Sequence, residues 1–127
     1  MILTQTESHM IRTKSIYKPK EDEDGTRILI TRFYPRGIRK GHFDQWMREL
    51  APTKELVQSY KHGKITQAQF TTRFLKQMST DETSKQTIQT LAKLAKKTNV
   101  TLLCYEPDGE FCHRHLLENM IKSKMKT

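Results

Sequence analysis

The chain is poor in the residues that staple or stiffen small proteins. Of its 127 residues two are cysteine, four proline, five glycine and one tryptophan. Two cysteines, Cys104 and Cys112, cannot make the disulfide framework of a small secreted domain. No apolar run approaches the roughly eighteen residues of a membrane span, so no membrane association is expected. The opening "MILTQTESHM" lacks the basic-then-apolar order of a secretory signal. Residues 1–10 are read as a flexible N-terminal arm, and the cytoplasm as the expected compartment. No G-x-x-x-x-G-K-[ST] loop occurs, and no G-x-G-x-x-G, which removes the P-loop and the dinucleotide fingerprint. Helix-turn-helix, zinc-finger and aromatic RNP patterns are missing as well.

Acidic residues are also short: 14 against 23 lysines and arginines, for a formal charge of +9. Such a surface draws polyanions and speeds encounters with them, so phosphate, nucleotide or nucleic acid are the partners it suggests.

What is present is enough for one core, since 35% of residues are hydrophobic. "IRTKSIYKP" reads as a short strand stopped at Pro19, and "KPKEDEDG" as a charged turn. In "TRILITRFY" the run Ile28 to Thr31 is aliphatic or β-branched throughout, as in a strand covered on both faces of a parallel sheet. Phe43, Trp46, Met47 and Leu50 in "HFDQWMREL" fall at helical spacing and predict a helix. "APTKELVQSY" predicts a second helix, broken at Gly63. Thr66 with Gln69 begins a third by a capping box, and Asp81 caps a fourth. "VTLLCY" is the clearest strand, "PDG" a turn, and "FCHRHLLENMIKSKM" the last helix. This order predicts a single compact α/β domain over residues 11–127, a mostly parallel sheet with helices on both faces.

Two stretches carry chemistry. In "LLCYEPDGEFCHRHLLENM" a strand ends at Cys104 and a helix opens at Cys112. On a helical wheel His113 falls amid the buried side with Leu117 and Ile121, Cys112 and Arg114 flank it, and His115 points away. The two histidines therefore do not share a face, and their spacing of two is not the spacing of four that a helical zinc pair needs. No metal and no cofactor is expected. Cys112 lies where unpaired backbone N–H groups favour a thiolate, beside a histidine able to exchange protons with it. Three readings stay open: a buried cysteine pair with a core histidine, an anion or nucleotide pocket at a helix N-terminus, and a reactive thiol. Glu106, directly after the strand, is the candidate acid, base or orienting carboxylate. In "TRFYPRGIRKG", Arg32 and Arg36 follow another buried strand among glycines. Arginine's fork matches phosphate and carboxylate oxygens, and strand C-termini of open parallel sheets are where ligands bind.

These same stretches carry a resemblance. "ITRFYPRGIRK" resembles the V-D-R-L-W-P-R-G segment of the DUF488 family, in its YeaO-like branch. "MRELAPTKELVQSY" is similar to the segment that follows there, and "TLLCYEPDGEFCHRHLL" to the family's L-L-C-x-E…C-H-R-x-x-L segment. Thr31 and Tyr34 stand where that pattern has aspartate and tryptophan. The likeness spans about residues 11 to 121. It implies a compact α/β domain of uncharacterised function whose suspected site is Arg32, Arg36, Cys104, Glu106, Cys112, His113 and Arg114. Taken with the residue reading, Cys112, His113 and Glu106 are the candidate catalytic groups. Arg32, Arg36, Cys104 and Arg114 are the candidate ligand contacts, for an anionic ligand bearing phosphate or a nucleotide. A non-catalytic nucleic-acid-binding domain is the alternative.

Overall fold

A computed structural model describes residues 10–105 and 112–126. Four strands, β1 (Ile11–Ser15), β2 (Thr26–Leu29), β3 (Gln45–Trp46) and β4 (Val100–Cys104), form one parallel sheet in the order β1-β4-β2-β3. β4 is central and buried along its whole length, which is why its sequence is a continuous apolar run. Four helices accompany the sheet: α1 (Lys54–Lys61), α2 (Gln67–Thr80), α3 (Glu82–Ala95) and α4 (His113–Met125). None among the described residues is long and apolar enough to cross a membrane. The α/β class, the parallel sheet and the predicted caps stand: Thr66 and Gln69 form a full capping box, and Asp81 accepts from the Ser84 N–H.

Two local expectations change. "HFDQWMREL" is not a helix; it is strand β3 followed by a short turn of 3₁₀ helix. Its backbone is captured by β2, with the Met47 N–H on the Leu29 carbonyl (2.8 Å) and the Asp44 N–H on the Arg27 carbonyl (2.8 Å), and the Asp44 carboxylate accepts from the Arg27 N–H in return (2.7 Å). Trp46 ties the same segment to the Thr31 carbonyl (2.7 Å). The helices also gather on one side. Ile11, Ile28, Val100 and Leu102 share a core with buried residues from all four helices. The other face, through Ile16, Leu29 and Leu103, meets Ile38, Phe43 and Trp46 from non-helical crossovers. The segment after β1 is interrupted at Pro19 and that after β2 at Pro35 and Gly37, which stop a helix from forming a second layer.

That second face holds a charged network. Lys14 on β1 and Arg27 on β2, the strands on either side of β4, both reach Asp24, which is fully buried, as is Arg27. The Lys14 ammonium donates to both Asp24 carboxylate oxygens (3.1 and 3.0 Å) and to Glu21 (2.8 Å). Arg27 donates to Asp24 through Nη1 and to the His42 carbonyl through Nε (2.9 Å). Burial alone would raise the Asp24 pKa, but the Glu21 N–H and the Lys14 and Arg27 cations hold it below the ordinary 3.8. Burial alone would lower that of Lys14, but Glu21 and Asp24 hold it above 10.5. The depressed carboxylate contributes stability above its unfolded pKa, lost as pH falls through the folded value. The raised ammonium contributes stability below its unfolded pKa, lost as pH rises through the folded value. Urea midpoints are therefore expected to stay level between about pH 5 and pH 10 and to fall on both sides. In Asp24→Asn the acid limb should flatten; an unchanged acid limb would remove Asp24 as its cause.

Candidate functional site

All four strands run the same way, so their C-terminal ends share one edge. There the chain leaving β2 turns toward the non-helical face and the chain leaving β4 leads to α4 on the helical face. Neighbouring strands whose continuations part in this way open a crevice between them.

Cys104 is the last residue of β4, on its helical face. Cys112 is the N-cap of α4, with extended backbone (φ −155°, ψ 148°). The other three helices are capped by side-chain oxygens of Thr53, Thr66 and Asp81. A thiol caps poorly, and the Cys112 side chain makes no cap bond. Its sulfur is aimed instead at Cys104, with the two Sγ atoms 2.7 Å apart. His113 Nε2 lies 2.8 Å from the Ile30 carbonyl just beyond β2. A carbonyl only accepts, so Nε2 carries a proton, and in the neutral imidazole Nδ1 is then the nitrogen with the lone pair. Nδ1 lies 3.6 Å from the Cys112 sulfur and 3.9 Å from that of Cys104. The Phe74 ring meets the imidazole edge-on at 5.4 Å. Strand β2, strand β4, helix α2 and the start of α4 thus fix one basic nitrogen against two sulfurs.

The trio forms the floor of a cleft of about 360 Å³. Its walls are largely apolar, from Phe33, Pro52, Val57, Tyr60 and Phe70, and its cations are Arg32 and Lys61; no carboxylate lines it among the described residues. Arg32 is held in place by the Pro52 carbonyl on Nε (3.0 Å) and the Ala51 carbonyl on Nη2 (3.1 Å). Those two bonds leave the remaining N–H groups of the fork for a ligand.

Of the residues singled out from sequence, Arg32, Cys104, Cys112 and His113 come together here. Arg36 is exposed and stands outside the lining, its carbonyl taking the Tyr17 hydroxyl (3.2 Å). Arg114 is fully buried and also outside the lining. Glu106 lies outside the described residues, as do the "PDG" turn and residues 1–9. His115 is half-buried and takes no part in the cluster. Lys61 and Tyr60 were not foreseen, because in sequence they read as the end and the apolar side of an ordinary helix. Among the described residues, Cys104 Sγ, Cys112 Sγ and His113 Nδ1 are the group whose spacing, all within 4.8 Å, could hold a metal ion. Thiolate and imidazole are zinc ligands. The spacing of His113 and His115 excludes a helical zinc pair but not this set, which lacks the paired short spacings of a structural zinc centre.

Residues 11–125 match the family model described as "Active DUF488-N3 subclade". The chain is 34% identical over 116 residues to the uncharacterized protein YeaO of Escherichia coli K12, covering 89% of this chain and 97% of YeaO. It is 33% identical over 72 residues to the uncharacterized protein Rv3073c of Mycobacterium tuberculosis H37Rv, covering 54% of this chain and 59% of that protein. The same figures hold for the uncharacterized protein Mb3100c of Mycobacterium bovis. No solved structure matches the chain.

Proposed function

This chain belongs to the DUF488 family, in its active DUF488-N3 subclade, and from that premise we propose an enzyme that acts on a small anionic ligand through the Cys112 thiolate. The observation that carries the reading is the convergence of Arg32 with Cys112 and His113 on one cleft. Arg32, already oriented by two carbonyls, meets the anionic group of the ligand; Lys61 at the rim adds attraction. His113 Nδ1 takes the Cys112 proton, and the helix N-terminus favours the resulting negative sulfur. Apolar walls exclude water around the reacting bond. The charge of +9 suits a phosphate-bearing ligand, a nucleotide or the end of a nucleic-acid strand.

The test is the rate of Cys112 alkylation by iodoacetamide against pH, with and without inorganic phosphate. The apparent thiol pKa is expected well below the ~8.5 of an unperturbed cysteine, and phosphate is expected to slow the reaction. Arg32→Ala should weaken that protection by about tenfold or more, the worth of a charge-assisted hydrogen bond, with Arg32→Lys intermediate. An ordinary thiol profile together with no phosphate protection would overturn the reading.

A further inference from the structure

We propose that Cys104 and Cys112 are a two-electron dithiol couple that reduces a small hydroperoxide admitted by the cleft. The proposal rests on the Cys112 thiol of the preceding reading, but not on its phosphate-bearing ligand.

Three observations support it. The sulfurs stand 2.7 Å apart, about 0.7 Å beyond a disulfide bond. Two thiolates on tetrahedral zinc, with bonds of about 2.3 Å, would keep roughly 3.7 Å between them. The sulfurs thus stand closer together than a shared zinc ion would hold them. Second, His113 Nδ1 faces both sulfurs, so in the neutral ring one base serves both thiols. Third, Cys104 and Cys112 are only 2% and 4% exposed yet line the cleft floor. A peroxide of a few atoms can reach them, whereas the surface of another protein cannot.

The chemistry closes as follows. His113 Nδ1 removes the Cys112 proton, and the thiolate attacks the terminal oxygen of the peroxide. The S–O bond forms as the O–O bond breaks; the departing alkoxide, facing Arg32, takes the proton from the imidazolium and leaves as alcohol. Cys112 is now a sulfenic acid. The Cys104 sulfur attacks the Cys112 sulfur, an S–S bond forms, the S–O bond breaks, and the hydroxide leaves as water with the Cys104 proton, relayed by His113. Two thiols and one hydroperoxide give one disulfide, one alcohol and one water. A small thiol reductant restores the pair by exchange.

The experiment treats the reduced full chain with one equivalent of hydrogen peroxide, then maps thiols by alkylation and mass spectrometry. Wild type should lose two hydrogens, and both cysteines should resist alkylation as one intramolecular cross-linked peptide. Cys104→Ser should consume peroxide at a similar rate but stop at a dimedone-trappable sulfenic acid on Cys112. Cys112→Ser should consume it about a hundredfold more slowly or less, as a buried thiol without the helix N-terminus would. The mapping in wild type needs no variant to fold. Oxidation of Cys112 straight to sulfinic acid with Cys104 still alkylatable would overturn the proposal. So would purified protein carrying one zinc per chain that keeps both thiols unreactive until chelated. A lowered Cys112 pKa without the cross-link defeats this inference alone, and a cross-link without phosphate protection defeats only the anionic-ligand reading.

Discussion

Replacing Asp24 by alanine is expected to cost the fold about 3–5 kcal/mol, the penalty for removing one partner of a buried ion pair. Lys14 is 9% exposed and Arg27 fully buried. Arg27 loses its carboxylate partner while Lys14 keeps that of Glu21, and Arg27 cannot swing into water without leaving the sheet that holds its backbone. Domains of this size are stable by only ~5–15 kcal/mol, so the variant should sit near its unfolding transition at room temperature. The loss reflects stranded charge more than net worth of the network, and a second variant separates the two. Adding Arg27→Met to Asp24→Ala removes one stranded cation and fills its space, and should recover stability relative to the single change. Urea midpoints of the two proteins check this. If Asp24→Ala unfolds within about 1 kcal/mol of wild type, the network is solvated rather than buried in effect.

This network was almost invisible in sequence, and the reason is physical. Arg27 sits inside "TRILITRFY", where a lone charge reads as a strand's solvent side, and Asp24 sits in a turn crowded with acids. Nothing in a linear pattern says which carboxylate folds back under the sheet. Local signals behaved differently. The caps at Thr66 and Asp81 depend on residues three apart, and the central strand on its own apolar run, so both were legible. Strand β3 was not: at two residues it has no periodicity, and the 43-46-47-50 spacing imitates a helix. Only the offer of hydrogen bonds from β2 decides it.

The site was legible to the same extent. A cysteine at a strand end and a Cys-His pair at a helix start are each local features, and parallel topology brings such ends to one edge. The wheel also placed His113 correctly toward the body. It left Arg114 on a flank, because an ideal wheel weighs hydropathy and cannot foresee that the start of α4 sinks far enough to enclose a guanidinium. Arg36 lies only four positions beyond Arg32, but the turn at Pro35 and Gly37 carries it out of the cleft. The walls from α1 and α2 come from far along the chain and announce nothing but a core.

Gly25→Ala is expected to destabilise the protein by more than about 3 kcal/mol and to disturb the thiol site some distance away. Gly25 has φ +64° and ψ −131°, a backbone region open essentially to glycine alone. A methyl group there would lie 2.1 Å from the Asn99 carbonyl oxygen and 2.7 Å from its carbon. Both are backbone atoms, so no side chain can step aside. The same Asn99 oxygen receives the Thr26 N–H (2.9 Å), the bond that begins the pairing of β2 with β4. That pairing sets Thr26 opposite Val100 and Leu29 opposite Leu103, and it carries the Ile30 N–H to the Leu103 carbonyl (3.1 Å). Ile30 in turn supplies the carbonyl that fixes His113. Pushing the start of β2 away from β4 therefore loosens the acceptor that keeps Nδ1 turned toward the sulfurs. Melting should fall by on the order of 10 °C, and in the protein that remains folded the pH profile of Cys112 alkylation should move toward that of an ordinary thiol. Gly37→Ala is the control: φ is +80° there too, but nothing lies within 4 Å of the added carbon. Its cost should be limited to about 1 kcal/mol of backbone strain, with the Cys112 profile unchanged. Equal melting temperatures for the two alanine variants would mean that the close approach at Asn99 does not constrain the sheet.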